Sequence, residues 1–297
     1  MTTTPVPRSL ILGLVGAGVS GSLSPAMHEQ EGRHQGLSTA YRRIDLESLG
    51  LGTGCLKELL QWAIRLGYDG LNITHPAKQA IMPFLDEVSS DAEAIGAVNT
   101  VVVRNGHTTG HNTDWSGFVR GLEGQLPDVA TDRLVLIGAG GAGAAVAFGL
   151  IKKGAGHLEV FDKDQQRATD LVTRLTGAFG PGRLSVGRHL AAAVSKADGL
   201  IHATPTGMDA HPGLALPEEL IQPSLWFADV VYFPLETELV SIARSRGCAV
   251  AHGGGMAVFQ AVDAFELFSG VAPDAERMMG HFMSLVTRGV TPTSEEG

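Results

Sequence analysis

The stretch Leu134-Val-Leu-Ile-Gly-Ala-Gly-Gly-Ala-Gly143 decides the fold of this 297-residue chain. The apolar run Leu134–Ile137 predicts a buried strand, and Gly138–Gly143 leads into an alanine-rich helix that continues through Lys152. A G-x-G-x-x-G pattern between a strand and a helix is typical of dinucleotide-binding domains. Its first glycine forms the turn, its second lets the backbone approach a pyrophosphate, and its third lets the helix pack on the strand.

This loop predicts a cofactor site, with a tight ligand-free turn as the alternative. Its members are Gly138, Ala139, Gly140, Gly141, Ala142 and Gly143. The next predicted strand ends at Phe161, and Asp162 follows it, 19 residues after Gly143. A carboxylate at this place binds ribose hydroxyls and repels a 2′-phosphate, which favours NAD over NADP. Lys163 and Arg167 weaken that repulsion, and a solvated strand end is the alternative interpretation of Asp162.

Strand and helix signals alternate along the chain, which predicts an α/β fold with largely parallel sheets covered by helices. The length favours two domains. We expect a substrate-binding domain over residues 1–125, completed by C-terminal helices within 256–297, and a Rossmann-type doubly wound parallel sheet over 126–255. Met1–Arg8 and Thr291–Gly297 are expected to be loose polar ends.

The predicted element bounds follow from the apolar runs and their periodicity. The predicted strands are Leu10–Val15, Ala40–Asp45, Gly70–Ile73, Val98–Val103, Leu134–Ile137, Leu158–Phe161, Gly199–Ala203, Phe227–Val231 and Ala249–His252. The predicted helices include Pro25–His34, Leu56–Leu66, a turn from Pro76, Trp115–Leu122, Gln165–Leu175, Ala257–Ser269 and Asp274–Thr287.

Composition narrows the possible partners. With 22 basic and 31 acidic residues the net charge is −9, which argues against nucleic acid or an anionic membrane. An anionic small molecule must therefore be bound by local groups. Cys55 and Cys248 stand apart, which favours the reducing cytoplasm and indicates neither a disulfide framework nor a metal site. Both a monomer and a homodimer remain open.

Polar residues follow several predicted strands of the first domain, at the edge where open α/β sheets bind ligands. Ser24 precedes Pro25, so it is a good candidate for a helix N-cap, whereas Ser22 has no such explanation. Together, two hydroxyls and a helix N-terminus can hold a carboxylate without any arginine.

Lys78 follows Pro76 and is predicted to lie in the first turn of a helix. The helix dipole disfavours a cation there, and shielding from water would lower the lysine pKa further. Such a buried ammonium suits proton exchange with a hydroxyl near neutral pH, with a flexible surface lysine as the alternative. Asp114 opens another predicted helix, as a cap or as the partner of Lys78. Asn99 is a turn residue or a ligand for a hydroxyl.

Taken in order, these motifs resemble those of the shikimate/quinate dehydrogenase family over nearly the whole chain. The matching segments are Ser22-Leu-Ser24-Pro25, Gly70-Leu-Asn-Ile-Thr74-His-Pro-Ala-Lys78, Gly96-Ala-Val-Asn99-Thr100, Asn112-Thr113-Asp114, Gly138–Gly143, Ala203-Thr204-Pro205-Thr206-Gly207-Met208, Asp229-Val-Val-Tyr232-Phe-Pro234 and Gly255-Met256-Ala-Val-Phe-Gln260-Ala261. The resemblance implies a two-domain oxidoreductase that oxidises a ring secondary alcohol of quinate or shikimate, with the substrate held between its domains.

The resemblance also implies residue roles. Lys78 and Asp114 would be the catalytic pair, and Ser22 and Ser24 would bind the substrate carboxylate. The residues implied to contact the ring and its hydroxyls are Thr74, Asn99, Tyr232 and Gln260. Those implied to lie near the nicotinamide end of the cofactor are Thr204, Gly207, Met208 and Gly255, and Pro205 and Val230 are further cofactor-binding candidates.

Two departures from the family pattern bear on specificity. Gly21 stands where many members have histidine, and Phe161-Asp162-Lys163-Asp164 replaces the Asn-Arg-Thr that often grips an NADP phosphate. The second departure resembles the NAD-using quinate/shikimate branch. Three alternatives stay open: an NADP-dependent shikimate dehydrogenase, a non-catalytic NAD- or metabolite-binding module, and an amino-substituted analogue as the substrate.

Overall fold

The computed structural model describes residues 9–288, so the predicted loose ends Met1–Arg8 and Thr291–Gly297 lie outside the described residues. The described chain forms two compact units. The first contains the described residues through Glu93, then Ala97–Thr113, and those from Ala261 onward. The second contains Ala94–Gly96 and Asp114–Gln260. These units are defined by contacts, so the functional boundaries at residues 125 and 255 stay a prediction.

The first unit is built around a sheet flanked by helices. Its elements are β1 (Ser9–Gly16), α1 (Ser24–His34), β2 (Ser38–Asp45), α2 (Leu56–Arg65), β3 (Gly70–Ile73), α3 (Ala77–Ala80), β4 (Glu87–Val88), most of α4 (Ser90–Ile95), β5 (Thr100–Arg104) and β6 (His107–His111). Among the described residues this sheet has six strands in the order β2-β1-β3-β5-β6-β4.

This first sheet is mixed rather than largely parallel. Strand β1 pairs in parallel with β2 and β3, whereas β5 is antiparallel to both β3 and β6. A hairpin turn at Asn105-Gly106 joins β5 to β6. Both of its residues have positive φ, 54° and 81°. Asn-Gly tolerates that conformation and favours two-residue hairpin turns.

The second unit contains the nucleotide-binding type of sheet. Its elements are α5 (Asp114–Gln125), β7 (Arg133–Ile137), α6 (Gly141–Lys152), β8 (His157–Phe161), α7 (Gln165–Phe179), β9 (Leu184–Val186), α8 (Leu190–Val194), β10 (Gly199–His202), β11 (Trp226–Asp229), α9 (Glu238–Ser245), β12 (Ala249–Ala251) and the start of α10 (Gly254–Ser269). All strand pairs are parallel, in the order β12-β11-β10-β7-β8-β9 over the described residues.

This strand order reverses direction between β7 and β10, which is the switch point where doubly wound sheets bind ligands. The predicted α/β fold class, with a Rossmann-type parallel sheet, is therefore confirmed. Apolar strand residues form its core, with Val135, Leu200 and Phe227 each 2% exposed or less. Because both faces of the sheet are covered, the strands read as apolar runs rather than as alternating patterns.

The end of the chain returns to the first unit. Helix α10 contributes residues from Ala261 onward, and α11 (Ala275–Thr287) follows it. Phe268 is fully buried in a cluster with Leu10, Leu12 and Tyr41. The close packing of its ring against β3 explains Gly70, since a Cβ there would overlap the Phe268 ring.

Two general properties concern the described part of the chain. Within it, no helix is both long and apolar enough to cross a membrane. The same residues contain no group of three or more His, Cys, Asp or Glu side chains placed to hold a metal ion. Both cysteines are free, with Cys55 half-buried and Cys248 buried.

Candidate active site

The serine pair lies at the start of α1 in the first unit. The Ser22 hydroxyl donates to the Ser24 hydroxyl over 3.2 Å, and Ser22 is only 9% exposed. The prediction that Ser24 caps the helix was wrong. Leu23 occupies the N-cap position, and the Ser22 hydroxyl accepts from Ser24 N over 3.3 Å. Helix capping therefore does not account for Ser24.

An arginine that sequence reasoning missed lies beside the pair. Arg43, in β2, donates from Nη2 to the backbone oxygen of Ser22 over 2.8 Å. The expected binding of a carboxylate by hydroxyls alone is thus supplemented by a nearby positive charge. The role of this residue was hard to predict from the sequence, because Arg43 is one of two consecutive arginines in the strand.

Lys78 is the second residue of α3, in the helical turn that was predicted from Pro76. Helix α3 has only four residues, so it supplies little of the dipole that was expected to disfavour a cation there. The side chain is half-buried rather than fully buried. Its backbone oxygen accepts from Val98 N over 2.9 Å, which ties Lys78 to the segment that carries Asn99. The structure therefore brings Lys78 and Asn99 to neighbouring segments of the first unit.

Asn99 belongs to a buried polar network and is more than a turn residue. Its Nδ2 donates to the Thr113 hydroxyl over 2.9 Å, and its Oδ1 accepts from Thr113 N over 2.7 Å. The Thr100 hydroxyl donates to the same Oδ1 over 3.0 Å. Nearby, the Tyr41 hydroxyl donates to Asn72 Oδ1 over 2.8 Å. Because every side chain in it is held by others, the network offers a rigid polar surface.

Thr74 lies just after β3, where its backbone N donates to Val15 O over 2.9 Å. Its methyl group packs so closely on Gly16 that a Cβ at residue 16 would overlap it. The half-buried Thr74 is thereby held at the carboxyl end of β3, as the ligand-edge argument expected.

Asp114 and Tyr232 approach each other within the second unit. Asp114 begins α5 and is 5% exposed. Burial raises the pKa of Tyr232, and the negative charge of Asp114 raises that pKa further. The Tyr232 side chain as a whole remains 37% exposed. A protonated phenol next to a carboxylate can donate a hydrogen bond to a ligand near neutral pH.

Gln260 is held near the same helix by glycine packing. A Cβ on Gly117, one turn after Asp114, would lie 2.6 Å from Gln260 N. A Cβ on Gly121 would lie 2.7 Å from the carbonyl carbon of Gly255. Helix α5 therefore contacts the start of α10 backbone to backbone, and Asp114 and Gln260 belong to one tightly packed helix pair.

The glycine loop has the form that a pyrophosphate requires. A Cβ on Gly143 would overlap the Gly138 oxygen, so this glycine permits close packing of α6 on β7. Gly138 has φ of +107° and makes the turn. A Cβ on Gly140 would meet nothing within 4 Å, so open space lies in front of the residue whose backbone would approach the phosphates. Helix α6 begins at Gly141. These observations fit a bound dinucleotide.

Asp162 is part of this loop rather than a merely solvated strand end. Its Oδ2 accepts from Ala139 N over 2.7 Å, and its Oδ1 accepts from Asp164 N over 2.9 Å. Each carboxylate oxygen has a second lone pair for a ribose hydroxyl. Lys163 and Arg167 are exposed, and Arg167 Nε is paired with Asp164 over 3.3 Å.

The remaining cofactor candidates follow β10, β11 and β12. Gly207 has φ of +96°, and its N donates to His211 O over 2.7 Å. Val230 N donates to His202 O over 3.0 Å. Pro205 and Met208 are exposed, whereas Thr204 is half-buried. Gly255 lies in the first turn of α10.

A buried histidine–carboxylate pair lies at the carboxyl ends of β10 and β11, and sequence reasoning missed it. His202 and Asp229 are the last residues of β10 and β11, and His202 Nδ1 lies 3.0 Å from Asp229 Oδ1. The signal was available, because each of these polar residues ends an apolar strand.

Comparison with known proteins agrees with this geometry. Residues 14–101 match the family model described as the shikimate dehydrogenase substrate binding domain. A shikimate dehydrogenase (NADP(+)) of Streptomyces avermitilis is 52% identical over 93% of this chain and 96% of its own. A quinate/shikimate dehydrogenase (NAD(+)) of Corynebacterium glutamicum is 50% identical over 93% of this chain and 99% of its own.

Solved structures are similar as well. The quinate dehydrogenase of Corynebacterium glutamicum in complex with NAD has a TM-score of 0.88 and 49% identity, covering 94% of this chain and 100% of its own. The shikimate 5-dehydrogenase of Thermus thermophilus in complex with NADP(H) and shikimate has a TM-score of 0.81 and 33% identity, covering 93% of this chain and 99% of its own. The chain therefore belongs to the shikimate/quinate dehydrogenase family, whose members are NAD(P)-dependent oxidoreductases acting on CH–OH groups.

Proposed function

We propose that this enzyme reversibly oxidises the ring secondary alcohol of quinate, shikimate or both to the 3-dehydro acid, with NAD as the preferred acceptor. The observation that carries the proposal is the glycine loop closed by Asp162, whose Oδ2 accepts from Ala139 N over 2.7 Å. This bond fixes a carboxylate beside the loop, where it supports a ribose hydroxyl and opposes a 2′-phosphate.

The substrate assignment rests on the two sets of polar residues. Ser22 and Ser24 would hold the carboxylate, with Arg43 adding positive charge through its bond to the Ser22 backbone. The ring and its hydroxyls would contact Thr74, Asn99, Tyr232 and Gln260. Thr74 packs on Gly16, Asn99 belongs to the buried network, and Gln260 Nε2 donates to Ala257 O over 2.9 Å, so these three side chains suit a rigid polar ligand.

Lys78 and Asp114 would handle the proton of the reacting hydroxyl. During oxidation the neutral amino group of Lys78 would take this proton, with Asp114 orienting the amino group and the hydroxyl. In the reverse direction Lys78 would donate the proton to the developing alkoxide and stabilise its charge. The protonated phenol of Tyr232 would donate to the substrate beside Asp114. When bound, the nicotinamide supplies the redox chemistry by exchanging a hydride with the carbon that bears the hydroxyl.

The glycine loop would hold the pyrophosphate, and Thr204, Pro205, Gly207, Met208, Val230 and Gly255 would contact the nicotinamide end. The two free cysteines favour the cytoplasm as the compartment. A small anionic acid is the proposed partner, in agreement with the overall charge of −9, which requires local capture of anions.

A steady-state matrix of quinate and shikimate against NAD and NADP tests this proposal. We expect reduced dinucleotide to form with at least one of the two acids, and a higher kcat/KM with NAD than with NADP. A kcat/KM in favour of NADP with shikimate alone would instead support the NADP-dependent enzyme, as in the Streptomyces relative. Binding without turnover of either acid would reject the substrate assignment.

A further inference from the structure

Buried polar side chains join the carboxyl ends of two central strands in the second unit. His202 ends β10 and Asp229 ends β11, and the two residues are register partners in the sheet. Thr237, which caps α9 through Val240 N, lies against the same carboxylate. These three side chains are 1%, 2% and 1% exposed, respectively. Such a cluster is stable only if its hydrogen bonds are satisfied.

The hydrogen bonds of Asp229 define the state of the histidine. Asp229 Oδ1 accepts from Val231 N over 2.9 Å and lies 3.0 Å from His202 Nδ1. Asp229 Oδ2 accepts from the Thr237 hydroxyl over 2.8 Å. Because an ionised carboxylate only accepts, His202 Nδ1 must carry the proton that is donated to it. In the neutral imidazole, Nε2 is then an acceptor.

The Thr204 hydroxyl contacts the other ring nitrogen of His202, Nε2. The hydroxyl oxygen lies 2.5 Å from His202 Nε2. With Nδ1 carrying the only ring proton, the Thr204 hydroxyl is the donor to Nε2. Thr206 N donates to the same oxygen over 3.2 Å. The half-buried Thr204 is thereby left with acceptor capacity and no free proton for a ligand.

Thr204 also lies at the dinucleotide loop. A Cβ on Gly138 would be 2.9 Å from Thr204 Cγ2, because β7 and β10 are neighbours at the switch point of the sheet. An acceptor at this position matches the N–H of a carboxamide. We propose that His202, Asp229 and Thr237 are positioning residues that fix the Thr204 hydroxyl as an acceptor for the nicotinamide carboxamide N–H. This inference rests on the proposed function.

The variant His202→Asn isolates the positioning role. An asparagine amide can still donate to Asp229 from the place of Nδ1, but it does not reach Thr204. The measurement is the Kd of NADH by fluorescence titration, together with the Kd of reduced 3-acetylpyridine adenine dinucleotide. That analogue keeps the ring carbonyl but has no N–H, so it reports which way the Thr204 hydroxyl points.

We expect His202→Asn to weaken NADH about threefold to tenfold, the worth of about one neutral hydrogen bond, and to weaken the analogue less. Thr204→Val should lose NADH affinity similarly, Thr204→Ser should restore it, and the His202→Asn/Thr204→Val pair should lose no more than Thr204→Val alone. The exposed His189→Asn serves as the matched control and should leave both Kd values unchanged.

Unchanged NADH binding in His202→Asn would overturn the proposal, and so would an equal loss for NADH and the analogue, which indicates a structural role only. These titrations need no acid substrate. If wild-type enzyme binds NADH but oxidises neither quinate nor shikimate, the proposed function is rejected. The NADH titrations of the variants still test the role of Thr204 in that case. If the enzyme prefers NADPH, the same titrations use NADPH and its acetylpyridine analogue, and failure to bind either cofactor rejects the inference.

Discussion

Lys78 is the side chain on which the proposed proton transfer depends. Substituting Lys78 with Met removes the proton carrier, and we expect kcat for acid oxidation to fall by about 10²-fold or more. The Kd of the reduced dinucleotide should stay near the wild-type value. The exposed Lys57 of α2 offers a control, since Lys57→Met removes the same charge from the surface. Turnover of Lys78→Met within twofold of Lys57→Met would remove Lys78 from the mechanism.

Asp162 carries the predicted cofactor preference. In Asp162→Ala the repulsion of a 2′-phosphate and the support of the Ala139 amide are lost together. We therefore expect KM for NAD to rise and the ratio of kcat/KM for NADP over NAD to increase by about tenfold or more. The exposed Asp128→Asn is the control for a general change in charge. An unchanged ratio in Asp162→Ala would show that this carboxylate does not discriminate between the cofactors.

Helix α5 carries Asp114, and its contact with α10 is made through glycines. Gly117→Ala places a methyl group 2.6 Å from Gln260 N, so the helices must separate. We expect a loss of about 1–3 kcal/mol in the free energy of unfolding, by denaturant titration, and a lower kcat because Asp114 moves with the helix. Gly124→Ala, in the same helix with nothing within 4 Å, is the control and should be neutral or stabilising. Equal effects of both substitutions would show that this contact is not needed.

Strand runs and glycine signals were enough to predict most elements of the second unit. The loop after β7 was predictable because each of its glycines has a distinct steric reason, and Gly138, Gly140 and Gly143 show those reasons in the structure. The short elements β9 and α8 were missed, because three and five residues give little periodicity. The hairpin at Asn105-Gly106 was missed because the strand β6, with sequence His-Thr-Thr-Gly-His, contains no apolar residue.

The candidate site was predictable in its residue types and less so in its local geometry. Ser24 and Pro25 read as a cap and a first helical residue, yet the helix begins one residue earlier, with Leu23 as the cap. A helical turn from Pro76 was predicted correctly, with Lys78 as the second residue of α3, but proline alone did not show that this helix has only four residues. Arg43 and the pair of His202 and Asp229 were missed because their roles depend on tertiary contacts between segments distant in sequence.

The pH dependence of the protein's stability should reflect the buried side chain of His28. His28 is 0% exposed and packs against the rings of Tyr41, Phe265 and Phe268, with centroid distances of 5.1, 6.0 and 5.9 Å. Neither ring nitrogen has a hydrogen-bond partner among the described residues. Burial lowers the pKa of His28 from 6.5 to about 3. The ring is therefore neutral in the folded state over a pH range in which the unfolded chain binds a proton.

Because the unfolded state binds this additional proton, the free energy of unfolding falls as the pH drops from about 6.5 towards about 3. The slope reaches about 1.4 kcal/mol per pH unit. Denaturant unfolding at pH 7 and pH 5 should show a loss about 2 kcal/mol smaller in His28→Phe than in wild type. The exposed His189→Phe should retain the wild-type pH dependence. The same loss in all three proteins would show that His28 does not titrate in this way.

The central proposal for this enzyme is that Lys78 and Asp114 act on the same substrate hydroxyl. The most direct test is kcat for acid oxidation in Lys78→Met, Asp114→Asn and the double variant, each first shown to bind the reduced dinucleotide. Groups that handle one proton as a unit are strongly non-additive. If Lys78 and Asp114 act on one proton, the double variant is about as slow as the slower single variant. Losses that multiply, or two single variants that both turn over at the wild-type rate, would contradict this proposal.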